Sequence, residues 1–110
     1  MDVKGHLDLL LLATLARTGP AHGYAVIAAL REHSRGSFDL PEGTVYPALH
    51  RLEQAGLIAS QWDESAPRRR RVYALTVDGR RARASKQREL QTFFEAVQAV
   101  IGYRRQGVKA

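Results

Sequence analysis

The fold is decided by one stretch of the sequence, Gly43-Thr44-Val45-Tyr46-Pro47-Ala48-Leu49-His50-Arg51-Leu52-Glu53-Gln54-Ala55-Gly56-Leu57-Ile58. Val45, Leu49 and Leu52 recur at spacings of four and three, which places them on one face of an α-helix. Gly56 is the residue type that ends helices, and a run with strand character follows it. We therefore predict a helix over residues 43–56, with one face in a core and hydrogen-bonding or cationic side chains elsewhere.

Two more helices are predicted before this stretch. Residues 7–16 are apolar almost all round, so their helix must be covered by the core on one side and by a second subunit or another helix on the other. Gly19-Pro20 stops it. Residues 22–33 have helical spacing, and a short polar connection over 34–41 leads to the helix at 43–56. Helix, short turn and helix form the helix-turn-helix pattern, in which the second helix enters the major groove of DNA.

Two short runs with strand character, 57–63 and 71–76, follow the third helix. The connection between them has Pro67 at its head and arginines behind it. A two-stranded hairpin is not stable alone in water, so it must pack on the helices. The predicted fold is therefore mainly α with a two-stranded β-hairpin, that is, a winged helix-turn-helix.

A long helix is predicted to begin after Thr76, a residue type that caps helix N-termini. Its apolar residues follow a four-three-four spacing, and such a seam needs a partner. The three-helix domain could supply it, but we favour the same helix of a second subunit. The expected organisation is a DNA-binding domain over 1–76, a dimerisation helix over 77–103 and a disordered tail over 104–110. The predicted dimer interface comprises Leu7, Leu11, Leu90, Phe93, Phe94, Val97 and Ile101.

The charge of the chain is strongly positive and unevenly placed. At 110 residues with a formal charge of +6, the chain is one basic domain. Between Arg68 and Arg88 nine Lys or Arg residues stand against one acid, Asp78. Such a patch favours a polyanionic partner, either nucleic acid or an anionic membrane surface. A charged surface that only keeps the protein soluble is the alternative.

Other classes of protein find little support. There is no cysteine, which excludes disulfides and Cys-ligated zinc. No signal peptide is recognisable and no apolar run approaches the roughly 20 residues of a membrane span, so we expect a soluble, cytoplasmic protein. The four histidines are scattered, and no paired carboxylates or Gly-rich phosphate loop are present. We expect no catalytic residues, no metal and no cofactor.

DNA binding is the chemistry that the residues favour. On the third helix, Arg51 can pair with guanine and His50 can contact a base or a phosphate. Thr44 and Tyr46 near the helix start can hold phosphate. The hairpin arginines can enter the minor groove or clamp the backbone. The predicted DNA-binding residues are Thr44, Tyr46, Pro47, His50, Arg51, Arg68, Arg69 and Arg70.

Three side chains outside this set are expected to have packing roles. His22 is predicted to cap or pack at the start of the second helix, because no acid or cysteine lies at ligand spacing from it in the sequence. Tyr24 is predicted to be a core aromatic with its hydroxyl near the surface. Trp62 is predicted to pack against Tyr73 across the hairpin.

The motifs resemble those of the PadR-like transcriptional regulators. The resemblance rests on His22-Gly23-Tyr24, the run from Gly43 to Ile58, and Arg71-Val72-Tyr73-Ala74-Leu75-Thr76 with Gly79. The single C-terminal helix is similar to that of the smaller PadR subfamily. The resemblance implies a winged-helix homodimer, joined through its last and first helices, that represses by binding a palindromic operator in double-stranded DNA and is released by an effector.

The effector cannot be carried over from that resemblance. Some small-subfamily members bind planar drugs between tryptophans on the last helix, whereas the only Trp of this chain is Trp62 on a strand. The expected effector is a small molecule whose identity the sequence does not specify. Two other readings stay open: a winged-helix protein-interaction module, and a basic helix lying on membranes. The polar third helix disfavours the first of these.

Overall fold

The computed structural model describes residues 3–65 and 67–102, and within them it confirms a mainly helical winged fold. A 3₁₀ turn at Val3–His6 leads into the first helix. The elements that follow are α1 (Leu7–Thr18), β1 (Ala21–His22), α2 (Gly23–His33), α3 (Glu42–Gln54), β2 (Ile58–Asp63), β3 (Arg70–Leu75) and α4 (Val77–Ile101). The tail predicted to be disordered, 104–110, lies outside the described residues.

The helix-turn-helix is built around one apolar core. Val45, Leu49 and Leu52 of α3 are buried, as their spacing predicts, and they meet buried side chains of α1 and α2. Gly56 has a φ of 79° just beyond the end of α3, the left-handed conformation that a helix-ending glycine adopts. Together these features fix the exposed faces of α3 relative to the rest of the domain.

The core also takes in two residues that we had placed at a dimer interface. Leu11 is 0% exposed and Leu7 8% exposed within the single chain. Because α1 is covered by α2, α3, β3 and α4 of its own chain, these two side chains have almost no surface left for a second subunit. The all-round apolar pattern of α1 is therefore explained by intramolecular contacts.

The sheet has three strands instead of the predicted two. β3 is the central strand, paired antiparallel with β2 on one side and with the short β1 on the other. Ala21 lies opposite Tyr73 and His22 opposite Val72. A strand of two residues has no periodicity, which is why the sequence pattern missed it. Its consequence is that the wing is joined directly to the start of α2.

The wing is also joined directly to α4. The hydroxyl of Thr76 accepts a hydrogen bond from the Gly79 N–H at 3.0 Å, which confirms Thr76 as the N-cap. Gly79 is buried, and a Cβ there would overlap the backbone carbonyl of Leu57. The start of α4 therefore packs on the backbone that enters the wing, and only Thr76 separates it from β3.

The second half of α4 projects from the domain. The radius of gyration is 16.3 Å, against about 13 Å for a compact chain of this size. The helix runs for 25 residues, and its apolar side chains beyond residue 92 are all exposed. Phe93 is 58% exposed and Ile101 68%. An apolar seam of this kind is left uncovered by the single chain.

Candidate nucleic-acid interface

The helix α3 presents three different faces to its surroundings. Gly43, Pro47, His50 and Gln54 lie opposite the buried face, at intervals of four and three, and we call them the outer stripe. All its members are exposed, and no atom lies within 4 Å of a Cβ built on Gly43. The remaining two faces look towards the wing and towards the start of α1.

The face towards the wing carries Tyr46, whose position depends on α2. Its ring meets that of Tyr24 edge-on, with the centroids 6.3 Å apart and the planes at 77°. Gly23 makes room for the Tyr46 ring, because a Cβ at residue 23 would lie 2.5 Å from its Cε1 and Cζ atoms. Tyr24 is 62% exposed, so our expectation of a core aromatic was wrong. The His-Gly-Tyr motif thus builds an exposed pair of tyrosines beside α3.

Both phenols remain neutral hydrogen-bond donors at physiological pH. The side-chain hydrogen bond to Glu42 raises the pKa of Tyr24, and the charge of Glu42 adds to this effect. Partial burial raises the pKa of Tyr46, again with a contribution from Glu42. The neutral phenol of Tyr46 can donate its O–H to a phosphate oxygen, whereas the single proton of Tyr24 is engaged by Glu42.

The face towards α1 holds Arg51, which is separated from the other predicted DNA-binding residues. Its Nη2 donates to Asp8 Oδ1 at 2.8 Å and its Nη1 to Asp8 Oδ2 at 3.0 Å, a bidentate pair. This hydrogen bond to Asp8 raises the pKa of Arg51. Thr44 shares the same side of α3. The donors that Arg51 would need to read guanine are engaged within the protein.

The wing contributes arginines and one stacked indole. The guanidinium carbon of Arg69 lies 4.3 Å from the centroid of the Trp62 ring, and that of Arg71 lies 4.8 Å from it. Trp62 faces Arg71 across the hairpin, whereas the partner of Tyr73 is Ser60. The Trp62 ring, predicted to pack against Tyr73, thus also makes cation–π contacts with two arginines.

A groove lies between α3 and the wing. It has a volume of about 680 Å³, and we call it the wing groove. It brings together Tyr46 and the wing arginines, which the sequence assigned to the same function. His50 and Pro47 lie on the neighbouring outer stripe. The lining includes Tyr24, Tyr46, Trp62, Tyr73, Arg68, Arg69, Arg70 and Arg71.

A hydrogen bond between the side chains of His22 and Asp63 spans the sheet. His22 Nε2 lies 3.0 Å from Asp63 Oδ2, although 41 residues separate the two in sequence. His22 is the N-cap residue of α2 but makes no capping hydrogen bond through its side chain, which leaves the packing role of the two that the sequence predicted. Hydrogen bonds from the Ser65 hydroxyl, from His22 and from the Ser65 N–H lower the pKa of Asp63 from 3.8 to about 2. The pair links β1 to the end of β2.

A second cavity lies between α1 and α4, on the side away from the wing groove. It has a volume of about 570 Å³. Leu9, Leu90 and Phe93 give it an apolar wall, and the Asp8–Arg51 pair lies at its edge. Of the predicted interface residues, Leu90 and Phe93 thus line this cavity.

Of the eight side chains named above as lining the wing groove, the sequence missed four, namely Tyr24, Trp62, Arg71 and Tyr73. Alternation in β2 places Ser60 and Trp62 on one face, but only the register of the hairpin shows that Arg71 lies opposite the indole. Within residues 3–65 and 67–102, no cluster of three or more His, Cys, Asp or Glu is placed to hold a metal ion. No helix of this described part combines the length and apolarity needed to cross a bilayer.

The fold and the wing groove define a winged helix-turn-helix protein, and comparison with known proteins specifies the family. The sequence profile of the Transcriptional regulator PadR-like family matches residues 11–85. This chain belongs to the PadR-like family of transcriptional regulators, which confirms the resemblance seen in its motifs.

Relatives of known name agree with this assignment. The chain is 40% identical over 72 residues to the transcriptional regulator Rv3488 of Mycobacterium tuberculosis, a match that covers 66% of this chain and 64% of that protein. It is 27% identical over 95 residues to the transcriptional regulator YqjI of Escherichia coli, covering 86% of this chain and 44% of the relative. The chain thus spans less than two thirds of either protein.

Solved structures share the fold over nearly the whole chain. A PadR family transcriptional regulator from Eggerthella lenta superposes with a TM-score of 0.80 at 30% identity, covering 92% of this chain and 86% of the other. A transcriptional regulator from Clostridium thermocellum gives a TM-score of 0.76 at 29% identity and covers 97% of both chains. The long α4 thus falls within the shared architecture.

Proposed function

We propose that this protein is a repressor that binds operator DNA through α3 and the wing. The observation that carries the proposal is the wing groove, in which Tyr46 and the arginines of the wing face one another beside the exposed outer stripe of α3. An exposed helix flanked by a basic hairpin can enter the major groove while the hairpin contacts the adjoining backbone or minor groove.

The proposed DNA contacts are of two kinds: contacts to base edges, which recognise the sequence, and contacts to phosphates, which position the protein. His50 and Gln54 on the outer stripe present hydrogen-bonding groups to base edges, and Pro47 presents an apolar ring. Tyr46 and the arginines at residues 68–70 hold phosphates and fix the register. Thr44 contacts phosphate from the other side of the helix start. Arg51 supports α3 through Asp8 instead of reading bases.

The regulator binds a palindromic operator as a homodimer joined through α4. Phe93, Phe94 and Val97 are exposed on the projecting half of this helix, and Ile101 extends the seam. Apolar residues at four-three-four spacing suit a second copy of the same helix. A twofold dimer presents two copies of α3 to two half-sites, so the operator mirrors the symmetry of the protein. An effector of unknown identity releases the complex.

A mobility-shift titration with the DNA upstream of the gene tests the proposal. The protein should retard this fragment at a concentration at which an unrelated fragment of equal length stays free, and the affinity should fall steeply as salt rises. Footprinting should show two protected half-sites. Equal retardation of all fragments, or no retardation at low salt, contradicts operator binding.

A further inference from the structure

One exposed aromatic residue of the wing is not explained by the core. Trp62 is 48% exposed, yet two guanidinium groups lie against its ring. An indole in water exposes a large apolar surface, and covering it with a planar cation recovers part of that cost while attracting the cation electrostatically. Trp62 is therefore covered by arginines of the wing and not by the core.

The two stacked arginines differ in how they are held. Arg71 also donates from Nε to the Ser60 hydroxyl at 3.1 Å. Arg69 lies near the wing tip, where its Nε is 3.3 Å from the exposed carboxylate of Glu64. Arg71 is thus fixed by the sheet, whereas Trp62 and an exposed acid hold Arg69.

A chain of contacts connects these arginines to α3. The Ser60 hydroxyl accepts from Arg71 and donates its own proton to the carboxylate of Glu53 at 2.5 Å. Glu53 belongs to the last turn of α3. The order of contacts from α3 to the wing tip is therefore Glu53, Ser60, Arg71, Trp62 and Arg69.

We propose that Trp62 is a positioning residue that sets the wing cation of Arg69 at a fixed place relative to α3. An exposed arginine samples many rotamers, and ordering it on contact with DNA costs entropy. Stacking on an indole that is itself anchored through Arg71, Ser60 and Glu53 removes part of that cost before binding. Arg69 can then exchange Glu64 for a phosphate while its stack stays in place. This inference rests on the proposed DNA binding.

The stack is tested first without DNA. In the native protein, the side-chain protons of Arg69 and Arg71 should show upfield ring-current shifts in NMR spectra, and Trp62→Leu should abolish them. Trp62→Phe should retain smaller shifts, because phenylalanine keeps an aromatic face. Absence of upfield shifts in the native protein overturns the proposal.

Operator titrations then test the role of the stack. Trp62→Leu should weaken binding by about three- to tenfold on all DNA sequences alike, and Trp62→Phe should recover most of the loss. The salt slope of Trp62→Leu should stay near the native value, because Arg69 keeps its charge, whereas that of Arg69→Ala should fall by about 0.9, the share of one phosphate contact. Combining Trp62→Leu with Arg69→Ala should weaken binding no more than the stronger single variant. Combining it with Arg68→Ala, the matched control, should give the product of the two single effects.

Three outcomes would contradict the positioning role of Trp62, and each has a different meaning. If the effects of Trp62→Leu and Arg69→Ala multiply, Trp62 contacts DNA by itself and is not a positioning residue. If Trp62→Leu binds as well as the native protein, the stack has no role in recognition. If the native protein binds no DNA while the ring-current shifts are present, the stack exists but both the proposed function and the positioning role fail.

Discussion

The ring of Tyr46 occupies the space into which any side chain at Gly23 would project. This single contact joins the start of α2 to the wing-facing side of α3. Gly23 does not have a positive φ, so the backbone itself would accept alanine. The need for glycine there arises from the neighbouring aromatic ring alone.

We therefore expect Gly23→Ala to displace Tyr46 and to weaken operator binding. The overpacking should also lower the free energy of unfolding by about 1–3 kcal/mol, measured by urea denaturation. In a Tyr46→Ala background the same change should become neutral or stabilising, by up to about 1 kcal/mol. Gly43→Ala is the matched control, since its Cβ would meet open space and should not lower stability. Equal losses in both Tyr46 backgrounds would contradict this explanation.

The Asp8–Arg51 pair gives a second prediction. Arg51→Ala and Asp8→Ala should each lower stability by about 1 kcal/mol or less, because the pair is partly exposed, and the double variant should lose little more than either one. The coupling should shrink in high salt. Arg31 and Asp39 form a looser exposed pair at 3.8 Å and serve as the control, with no measurable coupling.

The same two variants show whether Arg51 stabilises the position of α3 or contacts DNA bases. If Arg51 only supports α3, both variants should keep the native preference among operators with single base changes. Loss of discrimination at one base position in Arg51→Ala, but not in Asp8→Ala, would show that Arg51 leaves Asp8 and reads DNA.

The lowered pKa of Asp63 predicts how stability depends on pH. Because the folded pKa is about 2 and the ordinary value is 3.8, the ionised carboxylate stabilises the fold above pH 3.8. This contribution is lost as the pH falls through the folded pKa. Asp63→Asn should therefore be less stable than the native protein at neutral pH, and the difference should close between about pH 4 and pH 2.

The cause of that shift can be tested by carboxyl ¹³C NMR titration. Ser65→Ala removes the largest contribution and should raise the pKa of Asp63. His22→Gln should raise it less, because His22 ranks second among the causes. An unchanged Asp63 titration in Ser65→Ala would show that the hydroxyl does not hold the carboxylate.

The uncovered seam of α4 predicts the oligomeric state. The native protein should sediment with twice the mass of the chain, and Val97→Asp should shift it to monomer, since it would bury a charge in an apolar interface. Val77→Asp in the first turn of the same helix is the control and should remain dimeric, because Val77 is 59% exposed and lies far from the seam. A native monomer at micromolar concentration contradicts the proposed dimer.

The sequence predicted those features that depend on local periodicity. The buried face of α3, the N-cap at Thr76 and the spacing along α4 each follow from residues within a few turns of one another. The order of these helices and of the two strand runs extended the prediction to the winged fold. These patterns say which residues share a face, but not which neighbour that face meets.

The surroundings of several residues depend on such neighbours. Arg51 and Tyr46 both flank the exposed face of α3, and only the placement of α1 and of the wing shows that one meets Asp8 and the other lines the wing groove. Tyr24 has helical spacing suited to a core, yet its side of α2 faces solvent. Likewise, the partner of Trp62 depends on a hairpin register that the loop composition does not determine.

The close junction between the wing and α4 has a mechanical consequence. Thr76 is the only residue between β3 and α4, and Gly79 packs on the Leu57 carbonyl, so a rotation of the long helix should carry the hairpin with it. In a dimer joined through α4, a small tilt between the two helices swings the two hairpins apart or together along the DNA. A ligand that changes that tilt by a few degrees would alter the operator spacing that the dimer can span, without touching any DNA-binding residue.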